Sequence, residues 1–139
     1  MIYVLDTNIF IAGLNGNATV LRRLDALNPE DIVLCAPVLA ELEYGARFSG
    51  REQANLARIE TLSSRTRFQA FGDTAARRFG TLKAVLRRRG TLKSDFDLSI
   101  AAIAFDLDAI LVSDDRAFHD DPIPDLAVEN WLLGTGTPR

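Results

Sequence analysis

A chain of 139 residues, 47% hydrophobic and 25% charged, has the size and make-up of one soluble globular domain, which argues against a disordered, fibrous or multidomain protein. No apolar stretch approaches the ~18 residues that a membrane span needs, and no basic leader precedes an apolar segment, so no membrane role is expected and the expected compartment is the cytoplasm. The net charge of −3 divides unevenly: residues 65–93 carry nine Arg and Lys against Asp73 alone, whereas residues 94–139 carry ten Asp and Glu against Arg116 and Arg139. A basic surface and a separate acidic site are therefore expected on one molecule.

In chain order, residues 2–5 form an apolar run too short for a helix, and they end at Asp6. Asn17 is placed to cap a helix through Leu27, stopped by Asn28-Pro29. Residues 32–35 form a second apolar run, and Pro37 suits the first turn of a helix whose stripe carries Val38, Leu42 and Gly45. A further helix covers about 52–62, and a short strand covers 67–71. Asp73 or Thr74 opens a long helix to Arg89, stopped by Gly90, and Ser94 caps another to about Leu107. Residues 109–112 and 127–129 complete the strands, the latter at an edge, and residues 134–139 (Gly-Thr-Gly-Thr-Pro-Arg) are expected to form a mobile tail. Continuous apolar strands alternating with helices predict an α/β fold: a three-layer α/β/α sandwich around a parallel sheet of about five strands, with one domain over 1–133. Ligands of such sheets lie at the C-terminal edge of the strands.

The acidic residues can be placed on that edge. Asp6 is the first polar residue after strand 2–5, although a helix N-cap would account for it equally well. Glu41 falls on the flank of the stripe that packs toward the sheet, leaving Glu43 as the solvent-facing glutamate. Asp97 shares a helix face with Ile100, Ala101 and Ala104, although Ser94-Asp95-Phe96-Asp97 also matches a capping box. Asp114 and Asp115 follow strand 109–112 directly, so at least one should project beside Asp6. Two carboxylates ~5 Å apart repel by about 3 kcal/mol at an effective dielectric of ~20, so a cluster of four calls for a compensating cation. With only oxygen donors at hand, Mg²⁺ or Mn²⁺ suits better than zinc or copper, and such an ion supports hydrolysis of a phosphodiester. The lone Cys35 and lone His119 exclude a disulfide framework, and a nucleophilic pairing of the two is set aside in favour of a buried strand thiol and a surface imidazole.

The motifs Met1-Ile2-Tyr3-Val4-Leu5-Asp6-Thr7-Asn8, Ala40-Glu41-Leu42-Glu43-Tyr44-Gly45, Asp97-Leu98-Ser99-Ile100-Ala101-Ala102 and Val112-Ser113-Asp114-Asp115-Arg116-Ala117-Phe118, with the closing Val128-Glu129-Asn130-Trp131, together resemble a PIN domain. Their order and spacing are similar to the VapC-type toxins of toxin–antitoxin pairs over nearly the whole chain. The resemblance implies a five-stranded parallel sheet, a Mg²⁺- or Mn²⁺-dependent endoribonuclease, a homodimer, and inhibition by a cognate antitoxin whose C-terminal segment covers the active-site groove. It implies Asp6, Glu41 and Asp97 as three catalytic, metal-binding acids and Asn8 as a supporting amide. Ser113 stands where the family usually has Thr, which selects Asp115 as the fourth acid and leaves Asp114 as an alternate ligand. Cys35 and Val38 stand where many relatives carry hydroxyl residues, so the surroundings of Glu41 differ from theirs.

The basic segment suits RNA phosphates, and Arg87, Arg88 and Arg89 just before Asp97 are its candidate contacts; complementing the dipole of their own helix end is the competing role. No aromatic platform for base stacking is visible, so no base readout is expected. A Mg²⁺-binding receiver domain is the rival from another class, but it wants paired acids after the first strand and a late lysine, and both lysines here precede residue 94. An Asp-x-Asp phosphotransferase fails because position 8 is Asn. A PIN-type nuclease serving RNA processing or cutting DNA is the remaining alternative.

Overall fold

The computed structural model describes residues 1–133, and the tail expected at 134–139 lies outside them. Five strands, β1 (Tyr3–Leu5), β2 (Ile32–Cys35), β3 (Arg67–Gln69), β4 (Ile110–Val112) and β5 (Val128–Glu129), form one sheet in the order β3-β2-β1-β4-β5. All neighbours are parallel, with Val4 opposite both Val33 and Leu111. Every residue of β2 is buried, as a strand covered on both faces requires. The order of strands reverses at β1, so a crevice opens between the C-terminal ends of β1 and β4, where an α/β sheet binds its ligands. A receiver-like sheet would run 2-1-3-4-5, so the topology removes that rival.

The helices follow their local signals. The Asn17 side chain accepts from the Val20 N–H at 3.1 Å and starts α2 (Ala18–Asp25). Pro37 lies in the first turn of α3 (Ala36–Arg47), whose buried stripe is Val38, Leu42 and Ala46, and α4 (Glu52–Ser63) follows. Gly45 is exposed, because positions spaced by four keep to the inner face and place Ala46 there instead. α5 (Asp73–Arg88) ends ahead of Gly90, whose φ of +76° is one that an L side chain rarely adopts. α6 (Asp95–Asp106) is buried along most of its length, from Leu98 through Ile100 to Ala104. Two short helices go beyond the sequence reading: α1 (Thr7–Leu14) and α7 (Arg116–His119), each begun by an aspartate that the sequence places at a strand end.

Trp131 is fully buried, packs against Tyr3 with ring centroids 5.5 Å apart, and lies under the Arg23 guanidinium, which pairs with Glu129 at 2.8 Å. These contacts fasten the β5 edge to the body of the sheet. Among the described residues no helix is long and apolar enough to cross a membrane. Ile100, at 0% exposure in α6, has no room to be replaced without a void. Ile100→Ala is expected to lower the unfolding free energy by about 2–5 kcal/mol in urea titrations.

Candidate active site

The site is assembled where β1 and β4 end. The Asp6 N–H continues the β1–β4 ladder by donating to the Val112 carbonyl at 2.8 Å, which fixes the direction in which its side chain leaves the sheet. Its carboxylate is 4% exposed; one oxygen accepts from the Thr7 N–H at 2.8 Å and caps α1, and the other accepts from the Ser113 hydroxyl at 2.7 Å. Ser113 is wholly buried, and its oxygen also accepts from the Asp115 N–H at 3.0 Å. One hydroxyl thus ties the first acid to the turn that carries the last. Asp115 in turn caps α7 by accepting from the Ala117 N–H at 2.9 Å.

Asp97 lies in the first turn of α6 and is 8% exposed. The Ser94 hydroxyl oxygen accepts from the Asp97 N–H at 3.1 Å, so helix capping and an inward-facing carboxylate occur together. Glu41 corrects the sequence reading: it is exposed, whereas Glu43 is partly covered and pairs with Arg47 at 3.0 Å. The reason is position along α3, because Glu41 projects toward α1, where the Thr7 hydroxyl donates to it at 2.5 Å.

The two adjacent aspartates after β4 have different partners. Asp114 is exposed; its carboxylate accepts from the side-chain amide of the fully buried Asn130 at 2.6 Å, and its N–H donates to the Asn8 amide oxygen at 3.4 Å. Asp115 is the one whose charge reaches Asp6 and Asp97. Asn130 and Thr7 were quoted in the sequence only within motifs. Lys93 enters the sequence reading only as a lysine too early for a receiver domain: its side chain is 3% exposed, and its ammonium donates to the carbonyls of Ala117 and Asp121, with the Asp121 carboxylate 3.8 Å away. It stands four residues before Asp97, a spacing that is the only trace of it in the sequence. The imidazole of His119 meets the Ser113 carbonyl at 2.7 Å.

Electrostatics set this edge apart. Burial pushes the Asp6 carboxyl up to about 6, against the Ser113 and Thr7 hydrogen bonds, and the charges of Asp97 and Asp115 push it further. Asp97 is raised as well, first by burial and then by Asp115 and Glu41, with Ser94 and Lys93 opposing. The four acids therefore bear on one another, although among the described residues no three Asp, Glu, His or Cys side chains already close into a ligand cage. The donor set fits a hard divalent ion by its chemistry: carboxylate oxygens only, short of positive charge. Cys35 is fully buried and its thiol is pushed up to about 12, chiefly by that burial, which leaves it no nucleophilic role. Arg87, Arg88 and Arg89 are exposed at the end of α5 and make no ion pair among the described residues. The short connection to α6 brings them to the end of that helix where Asp97 lies.

Because the Asp6 carboxyl titrates near 6 when folded and near 3.8 when unfolded, ionising it destabilises the metal-free fold progressively as pH rises through that window. Asp6→Asn is expected to raise metal-free stability by about 2–3 kcal/mol at pH 7 and by almost nothing at pH 3, read from urea midpoints at the two pH values.

Known proteins resemble this chain over nearly its whole length. The chain is 32% identical over 134 residues to ribonuclease VapC2 of Rickettsia felis, covering 94% of this chain and 98% of that one. It is 31% identical over 130 residues to the tRNA(fMet)-specific endonuclease VapC of Salmonella typhimurium, covering 93% and 97%. The crystal structure of VapBC2 from Rickettsia felis bound to a DNA fragment from their promoter contains a chain that superposes with a TM-score of 0.86 at 31% identity, over 94% of this chain and 99% of that one. With residues 3–121 matching the PIN domain, and the acids gathered at the β1–β4 crevice, this chain belongs to the PIN domain family.

Proposed function

We propose that the chain is a VapC-like endoribonuclease toxin that hydrolyses RNA phosphodiesters with Mg²⁺ or Mn²⁺, works as a homodimer and is restrained by a cognate antitoxin. The observation that carries this is the convergence of Asp6, Asp97, Asp115 and Glu41 at one crevice, where burial and mutual charge hold Asp6 and Asp97 above the usual carboxylate range. The near full-length likeness to proteins named ribonucleases supports the choice of RNA over other phosphodiesters, and the likeness to chains solved as VapBC complexes supports the antitoxin.

Asp6, Asp97 and Asp115 are the residues that would hold the ion, with Glu41 alongside; when bound, it supplies Lewis-acid chemistry, acidifying water and neutralising charge on the phosphoryl oxygens. The chain's own groups do the rest. Ser113 and the Thr7 N–H keep Asp6 aimed from the sheet edge. Glu41, exposed and held by the Thr7 hydroxyl, faces the side from which a long substrate must approach and is placed to take a proton from attacking water. Asn130 holds Asp114 to one side, which supports Asp115 in the fourth position. Arg87, Arg88 and Arg89 offer bidentate contacts to the phosphates of the strand.

Purified protein is expected to cut total cellular RNA into discrete fragments with Mg²⁺ or Mn²⁺ and not with EDTA. Asp97→Asn should lose at least about a hundredfold in rate while melting as a folded protein; wild-type rates would leave Asp97 with its capping role alone. Neutralising Arg87, Arg88 and Arg89 together should weaken RNA binding and reduce the slope of log affinity against log salt by about 2, at ~0.7 per phosphate contact on a single strand. An unchanged slope would assign the three arginines to structure or to a protein partner.

A further inference from the structure

Among the described residues, the two most exposed aromatic side chains are Tyr44 and Phe48, at 66% and 81%. They stack on each other with ring centroids 5.8 Å apart and planes 12° apart. Leaving two large rings in water forgoes the burial that aromatic side chains normally supply, so an exposed stacked pair calls for a use.

Its location supplies one. Tyr44 and Phe48 follow Glu41 by three and seven residues, on α3 and at its C-terminal cap. At about 100° and 1.5 Å per residue, the three side chains share one stripe, with the rings about 4.5 and 10.5 Å along the axis from Glu41. The surroundings are charged rather than broadly apolar. Arg47 lies between Glu43 and Glu52 at 3.0 and 3.6 Å, and Arg51 is exposed and makes no ion pair among the described residues. Arg51 follows Phe48 by three residues in the chain. Flat π faces on the stripe of Glu41, followed by a guanidinium that no carboxylate takes up among the described residues, match the chemistry of an unstacked base joined to a phosphate.

We infer that Tyr44 and Phe48 form a stacking platform for an unpaired nucleobase of single-stranded RNA adjacent to the phosphate being cut, with Arg51 on the neighbouring backbone phosphate. This rests on the ribonuclease reading and replaces the expectation that no aromatic platform exists. Aromatics four apart on an amphipathic helix ordinarily point to the core, so the sequence pattern alone does not reveal an exposed pair.

The test is fluorescence anisotropy with the whole protein, in EDTA and again with Ca²⁺, using a labelled single-stranded oligoribonucleotide and an abasic phosphoribose chain of equal length. The proteins are wild type, Tyr44→Ala/Phe48→Ala, and Tyr44→Phe/Phe48→Tyr, each checked for an unchanged melting temperature. The expected result is about a tenfold or greater loss of RNA affinity in the double alanine protein, no change for the abasic chain, and wild-type binding in the aromatic exchange. Unchanged RNA affinity, with the double alanine protein sedimenting as a smaller species than wild type, would overturn the inference and assign this face to contact between copies. Equal weakening toward both oligomers would overturn it too, since the rings would then not be reading bases. Wild-type protein that binds neither oligomer under either condition would bring down the ribonuclease reading itself.

Discussion

Four acidic side chains brought to one sheet edge repel one another, and the rest of the site is organised around bearing that repulsion. The chain answers mainly with neutral donors. Backbone N–H groups at the starts of α1 and α7 serve Asp6 and Asp115, and the hydroxyls of Ser113 and Thr7 serve Asp6 and Glu41. Such donors partly offset the charge while leaving the site attractive to a positive ion. The cation whose charge reaches Asp97, Lys93, has its ammonium directed at two backbone carbonyls near α7, so it steadies the framework without closing an ion pair inside the crevice. A lysine reaching fully into the crevice would occupy the place proposed for the metal.

The same bonds that relieve repulsion also build the scaffold. Asp6 and Asp115 are helix caps as well as site acids, and Ser94 caps the helix that presents Asp97. Capping and chemistry, which look like competing explanations for an aspartate in a sequence, are one arrangement here, because a helix N-terminus that points into a crevice stabilises the negative charge the crevice requires. The reversal of strand order at β1 is what brings two such helix starts side by side.

Much of this was legible in the chain. Asp6 and Asp115 sit directly after apolar runs, and Asp97 repeats with Ile100, Ala101 and Ala104, so strand ends and helical period sufficed to place three of the acids. Glu41 is exposed rather than covered, since the period of α3 could not show that it meets the Thr7 hydroxyl of α1. Helices α1 and α7 are too short for periodicity to reveal and are set by their caps. Lys93 and Asn130 were beyond reach for another reason: their partners lie 16 to 28 residues away, in α7 and in loops, and only the closed fold brings them together. Asn130 is also what gives Asp114 a partner that Asp115 lacks, which no local spacing could show.

The strand order has a consequence in time. β4 enters the sheet beside β1 only after β2 and β3 have been made, and Asp115 follows β4. No shorter piece of chain that stops before residue 115 brings all four carboxylates together, and none that stops before residue 113 has the Ser113 hydroxyl bonded to Asp6. During synthesis, therefore, the growing polypeptide passes most of its length beside the ribosome's own RNA without a complete cutting centre, and the centre comes into being only as the last part of the domain is released to fold.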